Sequence, residues 1–395
     1  MKALYALLTL ALFAAAASAN VHHEQLRVPL IQNHEAEIIP GKYIVVFRPD
    51  ISVAEARVFS DSLNIGGRRF VNIGREFKAV SGDIPEDLLN RIRARSDLVD
   101  YIEADQIARI DAVTQENPTW GLDRIDQRAL PRDFRYSYYN HGGSGVNVYV
   151  IDTGINHSHI DFGGHASHGY NFHDNNNNAN DDNGHGTHCA GTIGSYTWGV
   201  AKNAALISVR VLGSSGSGNM SNVVAGVAWV AERHKQAFRK KTIASMSLGS
   251  DAYRSLDDAV VAAINAGVSV IAAAGNENRD ACKASPARVG PAVTVCASDA
   301  SDKRASFSNF GSCTDIFAPG VSITSTWIGS NTAIATLSGT SMATPHVAGV
   351  AALMLGQSGA LSPATVKNNL INQSTKNVVT DVKGSPNRLL FSPFA

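Results

Sequence analysis

Val146-Asn147-Val148-Tyr149-Val150-Ile151 is an apolar, β-branched run that ends in Asp152-Thr153-Gly154. A short continuous apolar run of this kind suits a strand buried on both faces of a parallel sheet. Similar runs recur at Leu206 to Val211, Ile243 to Leu248, Val268 to Ala273 and Ala292 to Ala297. Helical patterns lie between them at Val223 to Glu232 and Leu256 to Ala266, and Ser362-Pro363 opens one more helix that runs to about Asn372. The alternation predicts an α/β domain: an open, doubly wound parallel sheet with helices on both faces.

Upstream the pattern changes. Tyr43 to Phe47 reads as a strand, and Ser52 caps a helix over Val53 to Leu63. Phe70 to Ile73 and Phe77 to Val80 read as two strands about a Gly turn. Pro85 opens a helix over Glu86 to Arg95, and Leu98 to Glu103 reads as a last strand. The order βαββαβ predicts a small ferredoxin-like α+β domain. The polar stretch Asp111 to Pro118 reads as the linker between the two domains.

The charges balance, with 34 Lys+Arg against 34 Asp+Glu, so nothing points to a nucleic-acid partner. Residues 1–19 read as a secretory signal: Lys2, a short apolar core from Leu7 to Ala17, and the small-residue site Ala17-Ser18-Ala19. That core is shorter than the run of about 20 apolar residues needed to span a bilayer, so no membrane anchor is expected. An exported chain meets an oxidising compartment, where disulfides are permitted. Four cysteines allow three full pairings, and sequence alone does not choose among them.

Three stretches carry chemistry. Asp152 stands at the C-terminal end of the first buried strand, the edge where open parallel sheets bind ligands. Asn183-Gly184-His185-Gly186-Thr187-His188-Cys189 frames a histidine with glycines at the start of a helix of small residues. Gly339-Thr340-Ser341-Met342-Ala343-Thr344-Pro345-His346 sets a serine at a turn that runs into an apolar helix. Unpaired N–H groups and the helix dipole favour negative charge beside that serine, as an acyl-transfer nucleophile requires. Alone, Asp152 reads more simply as a turn or cap residue, Ser341 as a helix cap, and His185 as a surface or core histidine. Zinc is a rival for His185 and His188, with Asp181 and Asp182 nearby. The zinc-hydrolase helix H-E-x-x-H, however, needs a wider spacing and a Glu where Gly186 stands. An α/β-hydrolase is disfavoured, because G-x-S-x-G and the order Ser, Asp, His are both absent.

Taken together, in the order Asp, His, Ser, the sequence resembles the subtilisin-like serine proteases, in the proteinase K and aqualysin branch. The residues that carry the resemblance are VIDTGI at 150–155, NGHGTHCAG at 183–191, SLG at 247–249, AAGN at 273–276 and GTSMATPHVAG at 339–349. Residues 42–108 likewise resemble the propeptide inhibitor domain of that family. The resemblance implies a zymogen: signal 1–19, propeptide 20–111, and a peptidase domain over 112–395. Maturation by self-cleavage is expected near Asp111 to Val113, with Gln106 to Asp111 filling the cleft beforehand.

The resemblance also implies roles. Ser341 is the expected nucleophile, His185 the general base, Asp152 the group that orients it, and Asn276 a side-chain oxyanion donor. Ser247, Leu248, Gly249, Ala273, Ala274 and Gly275 would wall the first pocket, and Ser217 and Gly218 would bind extended substrate through their backbone. Those walls imply broad specificity with an apolar or aromatic residue before the scissile bond. Cys282 and Cys313 match an aqualysin-type disulfide, which leaves Cys189 and Cys296 free. A structural calcium ion is expected on Asp315 and the carbonyls near Gly290 and Ala292. Protein and peptide substrates, the chain's own propeptide as inhibitor, a monomeric state, and secretion or a vacuolar location complete the expectations.

Overall fold

A computed structural model describes residues 27–32, 38–106 and 112–393. The expected signal segment and most of Gln106 to Asp111 lie outside these. The chain forms two compact units that divide at Arg109/Ile110.

In the first unit the strands Ile38–Phe47, Gly66–Ile73, Phe77–Asp83 and Val99–Gln106 alternate with the helices Val53–Ser62 and Glu86–Arg93. Across the sheet, Val99–Gln106 is followed by Ile38–Phe47, Phe77–Asp83 and Gly66–Ile73, all antiparallel. This is the ferredoxin-like order, with a short extra strand, Leu30–Ile31, parallel to the outer edge of Val99–Gln106. Ser52 caps the first helix through a reciprocal pair, its Oγ accepting from the Glu55 N–H while the Glu55 carboxylate accepts from the Ser52 N–H. Leu88, Leu89 and Ile92 fall on one stripe of the second helix and close the core against Val45, Val80 and Ile102.

The second unit is built on a nine-stranded sheet. Its parallel part runs Ala166–Asn171, Ala205–Arg210, Asn147–Asp152, Thr242–Met246, Ser269–Ala273, Val293–Ser298, Ile316–Pro319, Arg388–Leu389. Alternate residues of Asn147–Asp152 face opposite layers. Val148 and Val150 pack with Ala190, Val347 and Ala351; Tyr149 and Ile151 pack with Val227, Val230 and Val260. Both faces are therefore covered by helices, which is why the strands read as unbroken apolar runs. The helix Thr340–Gln357 is apolar all round and buried along most of its length, as a helix crossing the middle of a core must be.

From Asn147–Asp152 the chain goes outward on one side and later returns to build on the other. This strand is therefore the switch point of the sheet. A crevice opens beyond its carboxyl end, and Asp152 is its last residue.

Two expectations are corrected. Ala112–Glu116 is no linker but a strand, antiparallel to Arg135–Tyr139; its backbone groups are held by that partner, which local polarity does not reveal. The strand Ala166–Asn171 was not foreseen, because Ala-Ser-His-Gly-Tyr-Asn has no apolar run; it lies at the sheet edge, where pairing rather than burial holds it.

Candidate active site

Two helix starts and one strand end meet at the crevice. The helix His185–Gly194 begins at His185, after Gly184 in the left-handed region (φ +109°). A Cβ on Gly184 would lie 2.4 Å from the Trp327 ring, so conformation and space both require glycine. The His185 Nδ1–H donates to Asp152 Oδ1 at 2.7 Å. A carboxylate can only accept, so this bond leaves His185 Nε2 as the free basic nitrogen, on a ring partly open to the cleft. The Thr153 N–H also donates to Asp152 Oδ1, at 2.8 Å.

Asp181, first weighed as a metal neighbour, holds this corner together instead. Its Oδ1 accepts from Thr153 Oγ1 and from the N–H groups of Asn183 and Gly184, each at 2.9 Å. Its Oδ2 accepts from the Thr187 N–H (2.9 Å) and hydroxyl (2.6 Å). It thus caps the helix that carries His185 and ties it to the residue after Asp152. His188 is no metal partner. It is buried, its Nε2 donates to the Ile323 and Ala335 carbonyls (3.0 and 3.2 Å), and burial pushes its pKa down to about 4. His159 is also buried, with Nε2 2.9 Å from the Ala333 carbonyl.

Ser341 is the second residue of the helix Thr340–Gln357, so its N–H belongs to the first turn, which no intrahelical acceptor serves. Pro345 lies four residues on and has no N–H to give the Ser341 carbonyl. That carbonyl instead accepts from the Ser247 hydroxyl at 2.9 Å and the Cys189 thiol at 3.4 Å. The Ser341 hydroxyl donates to the Ser247 carbonyl at 3.1 Å. In this rotamer it is not bonded to His185. Cys189 Sγ, 4.0 Å from His185 Nδ1, bridges the two neighbourhoods.

Asn276 is aimed by Thr340, a residue the sequence reading did not single out. Asn276 Oδ1 accepts from the Thr340 N–H (2.8 Å) and hydroxyl (2.9 Å), which leaves the amide N–H groups for the cleft. The only signal for it was its place beside the serine.

The pocket that contains Ser341 and Asn276 is walled by Ser247, Leu248, Gly249, Ala273, Ala274 and Gly275. Its neighbour contains His185, Ser217, Gly218 and Met220, and shares Ser247 to Ser250, so the two make one continuous cleft. Met220, the first residue of the helix Met220–Gln236, also lines this part of the cleft. The first pocket also holds three charges that were not foreseen. Arg279, half-buried, pairs with the exposed Asp251 at 2.6 Å and lies 3.7 Å from the exposed Glu277, while Ala273 and Ala274 are buried.

The structure joins Cys282 to Cys313 and leaves Cys189 and Cys296 free and buried. Replacing both bridged cysteines with Ser is expected to cost about 3–4 kcal/mol, from the chain entropy of the loop. A melting temperature equal to that of the parent would contradict this.

The three oxygens expected to hold calcium do not fit that ion here. The three oxygens do converge, but on an ammonium: Lys367 Nζ donates to the Gly290 and Ala292 carbonyls at 2.7 Å each and to the Asp315 carboxylate at 2.8 Å. A calcium ion needs six to eight oxygens at about 2.3–2.6 Å and cannot share that position with Nζ.

Residues 143–389 match the Subtilase family. The chain is 46% identical to the "Extracellular serine proteinase" of Thermus sp. (strain Rt41A), over 99% of both chains. It is 47% identical to the "Alkaline serine exoprotease A" of Vibrio alginolyticus, over 90% of this chain and 68% of that one. Among solved structures, a cold adapted subtilisin-like serine proteinase is 52% identical and superposes with a TM-score of 0.68, covering 70% of this chain and 99% of the other. The chain belongs to the subtilase family. Its activity is that of the family, a serine proteinase on a subtilisin-like α/β fold, and its substrates are proteins.

Proposed function

We propose that the chain is a secreted endopeptidase, made as a zymogen, in which Ser341 attacks the scissile carbonyl. The observation that supports this most directly is the 2.7 Å bond from His185 to Asp152 at the sheet's switch point, in the same cleft as Ser341. A change of rotamer carries the Ser341 hydroxyl from the Ser247 carbonyl toward His185 Nε2. His185 takes its proton as the Oγ–carbon bond forms, and Asp152 stabilises the imidazolium. The oxyanion is met by the Asn276 amide and the Ser341 N–H. His185 then gives the proton to the amine as the C–N bond breaks, and water repeats the sequence on the acyl-enzyme.

The buried alanines favour an apolar or aromatic side chain before the scissile bond, and Asp251, Glu277 and Arg279 also line that pocket. Met220 shapes the outer part of the cleft. The ferredoxin-like unit serves as an intramolecular inhibitor that is cut away near Asp111 to Val113, and the mature enzyme is a monomer. Export follows from the leader-like residues 1–19 and agrees with the "extracellular" in the name of the Thermus relative. Labelling with a fluorophosphonate tests the assignment, since only an activated serine reacts. A natively folded, mature protein that fails to label at Ser341 would leave a binding scaffold on the same fold.

The acid limb of the pH profile follows from His185. Burial is the largest single effect and disfavours charge on the ring, but the charge and hydrogen bond of Asp152, together with Cys189, outweigh it, so the pKa lies well above the ordinary 6.5. Only the neutral ring accepts the Ser341 proton. Activity is therefore expected to rise with pH through a one-proton step centred above 6.5; a kcat/KM profile with its midpoint at or below that value would contradict the assignment.

A further inference from the structure

We propose that the Lys367 ammonium is the resident cation at the oxygens of Gly290, Ala292 and Asp315, and that it stands in for a bound metal ion. An ammonium has three N–H donors, and here each finds one acceptor: two carbonyls at 2.7 Å and one carboxylate at 2.8 Å. The lysine and aspartate side chains are only 18% and 15% exposed, so the pair is weakly screened. The carboxylate is fixed from behind, because the Thr294 N–H donates to Asp315 Oδ2 at 2.9 Å while the Thr294 carbonyl accepts from the Asp315 N–H. One negative and one positive charge leave the cluster neutral. A divalent ion added beside Lys367 would face a single carboxylate and a like charge.

The placement shows what the cation does. Gly290 and Ala292 precede the strand Val293–Ser298, and Asp315 precedes its parallel neighbour Ile316–Pro319. Lys367 comes from the helix Pro363–Gln373, whose start is fixed by Ser362 accepting from the Thr365 N–H at 3.1 Å. The ammonium therefore pins this helix to the amino ends of two adjacent strands, at the opposite edge of the sheet from Asp152. A metal ion stabilises a fold in proportion to the logarithm of its free concentration. A cation carried on the chain cannot be removed by a chelator or diluted.

The test uses the full-length mature enzyme, inactivated with a sulfonyl fluoride to prevent autolysis. Lys367→Met and Lys367→Ala are expected to melt about 5 °C below the parent in EDTA. In millimolar calcium, Lys367→Ala should recover most of that loss and bind one more calcium ion per chain than the parent by calorimetric titration. Asp315→Asn placed on Lys367→Ala should remove the extra ion, whereas Asp315→Asn alone should leave the parent's ion count unchanged. Equal ion counts for the parent and Lys367→Ala, or loss of an ion from the parent on Asp315→Asn, would overturn the proposal. Should Lys367→Ala fail to fold, the ion count of Asp315→Asn against the parent still decides it.

Discussion

Ser341→Ala is expected to reduce peptide hydrolysis by a factor on the order of 10⁶, the loss that removal of the nucleophile produces in subtilisin. It is also expected to leave the protein as an uncut precursor. Both effects have one cause. With no hydroxyl there is no acyl-enzyme, whether the scissile bond belongs to a substrate or to the segment near Asp111 to Val113. The fold should be retained, because the methyl of Ala keeps Cβ and the Ser341 carbonyl keeps its bonds to Ser247 and Cys189. Hydrolysis of a chromogenic peptide and electrophoresis of the purified variant read the two effects separately. Normal processing of a pure, inactive variant would show that another protease makes the cut, while residual activity near the parent's would remove Ser341 from the mechanism.

Asn276→Ala should lower kcat by about 10²–10³, the range measured for the side-chain oxyanion donor of subtilisin, and leave KM nearly unchanged. The reason for the split is that the amide meets charge that exists only after the carbonyl has been attacked. The variant also leaves the Thr340 N–H and hydroxyl without the acceptor they share. A modest loss of stability should accompany it, and a melting curve separates that from the kinetic effect. A fall in kcat/KM carried mainly by KM would assign Asn276 to substrate binding instead.

Much of this architecture is legible in the letters, for physical reasons. Strands buried on both faces must be apolar throughout, so Asn147–Asp152 and its neighbours announce themselves, and an aspartate ending the first of them falls where such sheets open. Glycines at 184 and 275 signal backbone that other residues cannot adopt; at Gly275 (φ +100°) a Cβ would come within 2.3 Å of Asn309 Nδ2. What the letters hide are contacts between residues far apart in sequence. Asp181 looks like one member of a polar run, and only the fold makes it the cap that positions His185. Lys367 looks like a solvated helix lysine, yet its partners lie 52 to 77 residues upstream. Thr340 gave no sign that it steers Asn276, and Arg279 none that it would fold back on Asp251 at the cleft.

Pro345 deprives the Ser341 carbonyl of its usual helical donor, and Ser247 and Cys189 take over. The reactive residue is thereby anchored to structures that belong to the sheet and to the neighbouring helix, not to the rod on which it rides. The opening turn of that rod is thereby tethered at Ser341 from outside the helix, by the Ser247 hydroxyl and the Cys189 thiol.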